Sequence, residues 1–141
     1  MSRRRLYLFY FLSGVTALIY EVVWARRLGL IFGVDAYGVA TVLAVFFTGL
    51  ALGSWLFGRL VKNPVRALKL YASLELGIGV YAALTPGIFQ LVETFQVSLV
   101  QYFPVTFGGF SLVTFLLSFM VLIVPTTLIG GTFPAMVAAA D

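Results

Sequence analysis

The stretch VATVLAVFFTGLALGSWLFG, residues 39–58, contains no charged side chain. A helix of this length rises about 30 Å, which matches the hydrocarbon thickness of a bilayer. The stretch therefore predicts a membrane-spanning helix, which we place at about residues 36–60. A chain built around such segments is expected to be an all-α membrane bundle.

The composition of the whole chain supports this fold class. Of its 141 residues, 62% are hydrophobic and 10% are charged. A soluble domain carries about 25% charged residues, so this chain has too few polar side chains to cover a water-soluble fold. Lipid is therefore the expected solvent for most of the chain.

Three further apolar segments bring the predicted number of transmembrane helices to about four, in a single domain over residues 1–141. We place these spans at about residues 6–28, 68–84 and 110–124 or beyond. The basic N-terminus resembles a signal peptide, but the apolar run is too long and no A-x-A-like cleavage site follows it. Residues 88–102 predict a helix that lies at the membrane interface or extends the third span. The prolines and glycines of residues 125–136 predict an interruption of the fourth helix.

The basic residues predict the orientation. With the N-terminus inside, only Arg26 and Arg27 lie near the outer face. The cytoplasmic bases are then Arg3, Arg4, Arg5, Arg59, Lys62, Arg66 and Lys69. This excess of inner bases predicts a multi-pass protein of the cell (inner) membrane with both termini cytoplasmic.

Several function classes are disfavoured by the residues that the chain lacks. It contains no cysteine and no histidine. Thiolate chemistry, disulfides, the commonest zinc ligand and the usual general base are therefore missing. We expect no enzymatic activity, no catalytic residues and no cofactor, while the identity of any metal is left open. The net charge of +4 is attributed to the cytoplasmic bases and not to a nucleic-acid partner.

Glu21 is an acid inside the first predicted span. On a helix it shares a mostly small face with Gly14, Ala17 and Ala25, which favours an orientation into the protein. An ionised acid in the membrane core costs about 2.5–3.5 kcal/mol, so such residues are candidates for function. Arg26 and Arg27 follow it, either to modulate its charge or to reach lipid headgroups.

Glu75 repeats this pattern in the third predicted span, where its helix face carries Leu68, Tyr71, Ala72, Gly79 and Ala82. From the helical rise, Glu21 lies roughly 22 Å and Glu75 roughly 10 Å from the inner edge of the membrane core. The two acids are therefore predicted to form two stations along one polar path that binds a substrate or a proton. The alternative is a structural role, with the carboxylates bonded to Tyr20 or Tyr71 or to an arginine of another helix.

A G-x-x-x-G motif in the second span predicts close helix packing. Gly49 and Gly53 lie one turn apart in the middle of this span. Small residues at this spacing let two helix backbones approach each other. The partner helix could belong to the same chain or to a second copy.

Four phrases carry a resemblance to a known family. They are FLSGVTALIYEVVWARRLGLIFG (11–33), FFTGLALGSWLFGRL (46–60), LYASLELGIGVYA (70–82) and PTTLIGGTFPAM (125–136). The chain resembles the N-terminal membrane region of membrane-bound spermidine synthase-like proteins, in which a cytoplasmic aminopropyltransferase domain is commonly fused to the helices. Positions that match are Tyr20, Glu21, Trp24, Arg27, Gly49, Gly53, Arg59, Glu75, Pro125 and Pro134.

A second and looser similarity is to half of a major facilitator transporter. Residues 49–71 look like the basic cytoplasmic loop of those proteins, although no acid precedes Arg59.

Two functions follow as expectations. The first is a transport module for a small cationic substrate, such as a polyamine or an inorganic cation. Because four helices rarely enclose a path, this function predicts a homo-oligomer, most simply a dimer. The second is a non-transporting anchor or assembly module for an aminopropyltransferase partner. A cavity that reaches Glu21 or Glu75 would favour transport, and tightly bonded glutamates would favour the anchor.

Overall fold

The computed structural model describes residues 3–32, 36–61, 63–102 and 106–140. They form four helices: α1 (Arg3–Phe32), α2 (Ala36–Leu60), α3 (Pro64–Tyr102) and α4 (Phe107–Ala140). These described ranges contain no strand, and every helix has a segment that is long and apolar enough to cross a bilayer. The predictions of an all-α fold and of about four such helices are confirmed. Lys62 lies outside the described residues, and the orientation in the membrane stays a prediction.

Polar caps define where α3 and α4 begin. The backbone N–H of Arg66 donates to Asn63 Oδ1 at 2.9 Å, and Pro64 occupies the first helical position, where its missing N–H is not needed. At α4, the N–H of Gly109 donates to Thr106 Oγ1 at 3.4 Å. These caps satisfy donors that would otherwise lack an acceptor.

Helix α3 is longer than the span predicted at residues 68–84. It passes through Pro86 and ends at Tyr102, so residues 88–102 extend this helix and do not form a separate interfacial element. A helix of 39 residues rises about 58 Å, roughly twice the thickness of the hydrocarbon core. Helix α3 therefore reaches past the core of any bilayer that it crosses.

Helix α4 is also continuous, so the interruption predicted at residues 125–136 does not occur. Proline has no N–H, and Pro125 therefore leaves the carbonyl of Val121 without its helical donor. The hydroxyl of Tyr81, on α3, donates to this carbonyl at 2.5 Å. A side chain from a neighbouring helix thus replaces the missing backbone bond.

The second proline of α4 is accommodated in the same way. Pro134 leaves the carbonyl of Gly130 without its helical donor. The hydroxyl of Ser54, on α2, donates to this carbonyl at 2.9 Å. Proline is tolerated inside membrane helices when neighbouring side chains satisfy the freed carbonyl, and both prolines of α4 meet that condition.

The closest helix pair is α2 and α4. Gly49 faces Thr126, and nine residues further on Gly58 faces Pro134, so the two helices run parallel. A Cβ atom placed on Gly49 would lie 2.6 Å from the Cβ of Thr126. Only a glycine at this position allows the observed approach.

The next turns of α2 and α4 bring backbone against backbone. A Cβ on Gly53 would lie 2.8 Å from the carbonyl carbon of Thr127, and a Cβ on Gly130 would lie 2.8 Å from the Cα of Leu50. Each helix therefore contributes glycine where the other contributes main chain. The G-x-x-x-G motif of α2 packs within the chain, which is one of the two arrangements that the sequence left open.

Helix α1 lies at the periphery of the bundle. Only 6% of its most apolar segment is buried, against 22–29% for the other three helices. It is attached mainly through Trp24 and Leu28, which are 2% and 0% exposed and pack in one cluster with Val45 of α2 and Leu122 of α4. A smaller cluster joins α3 to α4 through Tyr71, Leu74, Ala135 and Met136.

Candidate functional site

Glu75 is partly buried on α3 and faces α1. The hydroxyl of Ser13, on α1, donates a hydrogen bond to its Oε1 atom. Tyr71 lies one turn before Glu75 and lines the same groove as Ser13 and Glu75. The acid therefore belongs to a cluster of three oxygen-bearing side chains from two helices.

This cluster borders an open groove of about 620 Å³ between α1 and α3, which we call the Glu75 groove. The groove is lined by Phe9, Leu12, Ser13 and Thr16 of α1 and by Leu68, Tyr71, Ala72 and Glu75 of α3. Of the residues that were predicted to share a face with Glu75, Leu68, Tyr71 and Ala72 line this groove, whereas Gly79 and Ala82 do not. The polar atoms of these side chains are all oxygens, and only Glu75 among them carries a charge.

Ser13 also borders a second space, a cavity of about 270 Å³ between α1, α2 and α4. Polar lining of this cavity comes from the side chains of Tyr10, Ser13, Ser54 and Thr132 and from the backbone of Gly130. Ser13 is therefore the point at which the Glu75 groove and the interior of the bundle meet. Sequence reasoning missed Ser13, because its significance depends on a partner 62 residues away.

Glu21 lies apart from this cluster. It is partly buried, and within the described ranges its carboxylate has no hydrogen-bond or ion-pair partner. It follows Ser13 on α1 by eight residues, which corresponds to about 12 Å along the helix axis. The structure therefore does not bring Glu21 and Glu75 into one site.

The other predicted residues of α1 separate into two groups. Tyr20 stacks on Trp24 with 5.4 Å between the ring centroids, and its hydroxyl is not part of the Glu75 cluster. Tyr20 and Arg27 instead border a different groove, described next. Arg26 is exposed and borders neither of these grooves.

A second groove, of about 470 Å³, lies further along the same two helices, and we call it the Arg27–Glu93 groove. It is lined by Tyr20, Val23, Trp24, Arg27 and Leu30 of α1 and by Ala82, Thr85, Pro86, Phe89, Gln90 and Glu93 of α3. Glu93 lies within residues 88–102, for which the sequence predicts only an interfacial or extending helix. The groove could not be predicted, because Arg27 and Glu93 border one space only through the parallel pairing of α1 with α3.

The described residues offer no cluster typical of a metal centre. No group of three or more histidine, cysteine or acidic side chains lies together in these ranges. Glu75 is a single carboxylate among hydroxyls, which suits weak and exchangeable binding of a cation better than a permanent metal site.

Comparisons with protein-family models, with curated proteins and with solved structures gave no match to this chain. The resemblance to the membrane region of spermidine synthase-like proteins thus stays a prediction that rests on the quoted motifs.

Proposed function

We propose that the chain is an integral membrane transport module that binds a small cation at Glu75. The observation that carries this proposal is the cluster of Ser13, Tyr71 and Glu75 at the wall of the Glu75 groove. A partly buried carboxylate is costly in an apolar medium unless hydrogen bonds or a cation compensate it. The Ser13 hydroxyl supplies one such bond, and the open groove leaves space for a cation.

The side chains that line the Glu75 groove restrict which substrates can bind there. Its charged lining is a single acid, so a cation fits and an anion is repelled. Oxygen ligands suit hard inorganic cations, and a primary ammonium group donates to the same atoms. A groove of about 620 Å³ is large enough for a linear polyamine next to the apolar wall formed by Phe9 and Leu12.

In this proposal Glu21 serves as a second station on α1, and Arg26 or Arg27 modulates its charge. The Glu75 groove is open on one side and α1 is little buried, which supports a dimer in which a second copy closes the path. We also propose that the chain lies in the inner membrane as a multi-pass protein with both termini cytoplasmic. The excess of bases near the N-terminus and before α3 supports this orientation.

A second candidate function is an anchor or assembly module for an aminopropyltransferase-like enzyme. The observation that favours it is the close contact of α2 with α4, where the main chain of one helix packs against glycine of the other at Gly53 and Gly130. The motif resemblance supports the same candidate. An anchor needs neither the Glu75 carboxylate nor any cation.

Flux through proteoliposomes separates the two functions. The purified chain is reconstituted, and uptake of potassium, sodium, putrescine and spermidine is measured. Transport through the Glu75 site predicts cation-selective uptake that Glu75→Gln reduces by at least about tenfold, the effect of one lost charge-assisted contact. The matched control is Glu93→Gln, which removes an exposed acid outside the Glu75 groove. Absence of uptake for every cation, from a folded and correctly inserted protein, would leave the anchor as the better proposal.

A further inference from the structure

The Arg27–Glu93 groove carries two opposite charges that do not neutralise each other directly. Arg27 and Glu93 are both exposed, and within the described ranges neither has an ion-pair partner. They nevertheless border the same groove from opposite helices. A ligand that carries one negative and one positive group can therefore contact both side chains.

The position of this groove along α1 places it near a lipid headgroup. The apolar segment of α1 begins at Tyr7, and Arg27 lies about 30 Å further along the helix axis. This distance equals the hydrocarbon thickness, so Arg27 reaches the headgroup zone when Tyr7 lies at the opposite face. Trp24 lies one turn before Arg27, at the depth where interfacial aromatic side chains concentrate.

The walls of the groove combine two kinds of surface. Apolar and aromatic side chains, among them Val23, Trp24 and Phe89, are interspersed with the polar side chains of Arg27, Gln90 and Glu93. Such a mixed lining matches an amphiphile whose chains lie against the apolar side chains and whose polar end lies between the two charges.

We propose that the Arg27–Glu93 groove binds the headgroup of an ethanolamine phospholipid. The guanidinium of Arg27 holds the phosphate, because its planar fork of N–H donors matches two phosphate oxygens. The ammonium group donates to the Glu93 carboxylate and to the Gln90 amide oxygen. This proposal is independent of cation binding at Glu75.

The same chemistry predicts which headgroups bind poorly. A choline headgroup carries its positive charge without N–H donors, so it forms no hydrogen bond with Glu93 or Gln90. A glycerol headgroup gives the lipid a net negative charge and supplies no cation for Glu93. Ethanolamine lipids should therefore be retained over both, by about threefold to tenfold, a modest ratio because the two side chains are exposed to solvent.

Native mass spectrometry tests the proposal on the full chain. The protein is purified in detergent with equal amounts of ethanolamine, choline and glycerol phospholipids, and the retained lipids are counted. Glu93→Gln should abolish the preference for ethanolamine over choline, and Arg27→Gln should weaken retention of all three. The matched controls are Arg26→Gln, an exposed neighbour outside the groove, and Glu75→Gln, which alters the other site; both should retain the wild-type preference.

Three results would overturn the proposal. One is equal retention of ethanolamine and choline lipids by the wild-type chain. Another is an Arg26→Gln variant that loses as much lipid as Arg27→Gln, because the effect would then be general charge. The third is displacement of the lipid by submillimolar phosphoethanolamine, which would assign the groove to a soluble zwitterion without acyl chains. Persistence of the bound lipid at that concentration supports the lipid assignment.

Discussion

The hydroxyl of Tyr81 donates to the one carbonyl of α4, that of Val121, which Pro125 deprives of its helical donor. In the same way, the hydroxyl of Ser54 donates to the carbonyl of Gly130, which Pro134 deprives of its helical donor. Helix α4 is thus held by one hydroxyl from α3 and one from α2, each at a proline. The prolines create acceptors that only the correct neighbouring helix can satisfy, so they contribute to the specificity of packing as well as to the shape of α4.

Replacing Tyr81 with phenylalanine should destabilise the bundle by about 0.6–2 kcal/mol, the magnitude that hydrogen bonds between membrane helices contribute. The ring remains, so the loss reports on the hydroxyl. The same replacement should be nearly neutral in a Pro125→Ala background, because alanine restores the backbone donor to Val121. Unfolding in mixed detergent micelles, followed by circular dichroism, measures both values.

The matched control is Tyr102→Phe, which removes the hydroxyl of a side chain that is 80% exposed and lies about 31 Å along α3 from Tyr81. An equal loss from Tyr81→Phe with and without Pro125 would show that the hydroxyl does not replace the missing donor.

Gly53→Ile should weaken the pairing of α2 with α4. The new side chain would overlap the main chain at Thr127 and Gly131, which cannot withdraw. Overpacking of this kind costs about 1–3 kcal/mol or more. Even Gly53→Ala should destabilise, whereas Gly79→Ala, on α3 with no atom within 4 Å of the new methyl group, should be neutral or stabilising. Thermal unfolding of the three variants in one detergent gives the ranking, and a neutral Gly53→Ile would contradict the close approach.

Glu21→Gln should preserve the fold and reduce cation flux. The amide keeps the shape of the carboxylate and removes the cost of a partly buried charge, so stability should be unchanged or higher. The measurement pairs unfolding with proteoliposome uptake. Arg26→Gln should change the rate without abolishing flux. Normal transport by Glu21→Gln, or a main effect on stability, would assign Glu21 a structural role.

Single cysteines should report the orientation without background, because the chain contains no cysteine of its own. The inner cysteine is placed at Val65, which is 69% exposed, because a substitution at Asn63 would remove the cap of α3. The outer cysteine is placed at Tyr102, which is 80% exposed. In intact cells an impermeant thiol reagent should label position 102 and leave position 65 unlabelled until the membrane is permeabilised. The opposite pattern would invert the proposed topology.

The helices themselves could be predicted because their signals are local. An uncharged run such as residues 39–58 has few alternatives to a helix in lipid. The face of Glu75 also followed from the helical period, since Tyr71 and Ala72 are one turn away. For the same reason Gly49 and Gly53 could be recognised as a contact surface before the partner helix was known.

Local sequence patterns could not predict the candidate site or the continuity of α4. Ser13 donates a hydrogen bond to Glu75, and Arg27 lines the same groove as Glu93, only because α1 and α3 lie side by side and run parallel. Pro125 predicts a break in the helix unless another donor satisfies the freed carbonyl of Val121, and the donor, Tyr81, lies 40 residues before Val121. These features depend on helix pairing, which a single sequence does not encode in any short motif.

The pairing of α2 with α4 also has a consequence for synthesis, because α2 is made well before its partner helix. Ser54 leaves the ribosome 76 residues before Gly130, which at about 5–20 residues per second is a delay of roughly 4–15 s. During this interval the glycine surface of α2 is already synthesised and has no partner from its own chain.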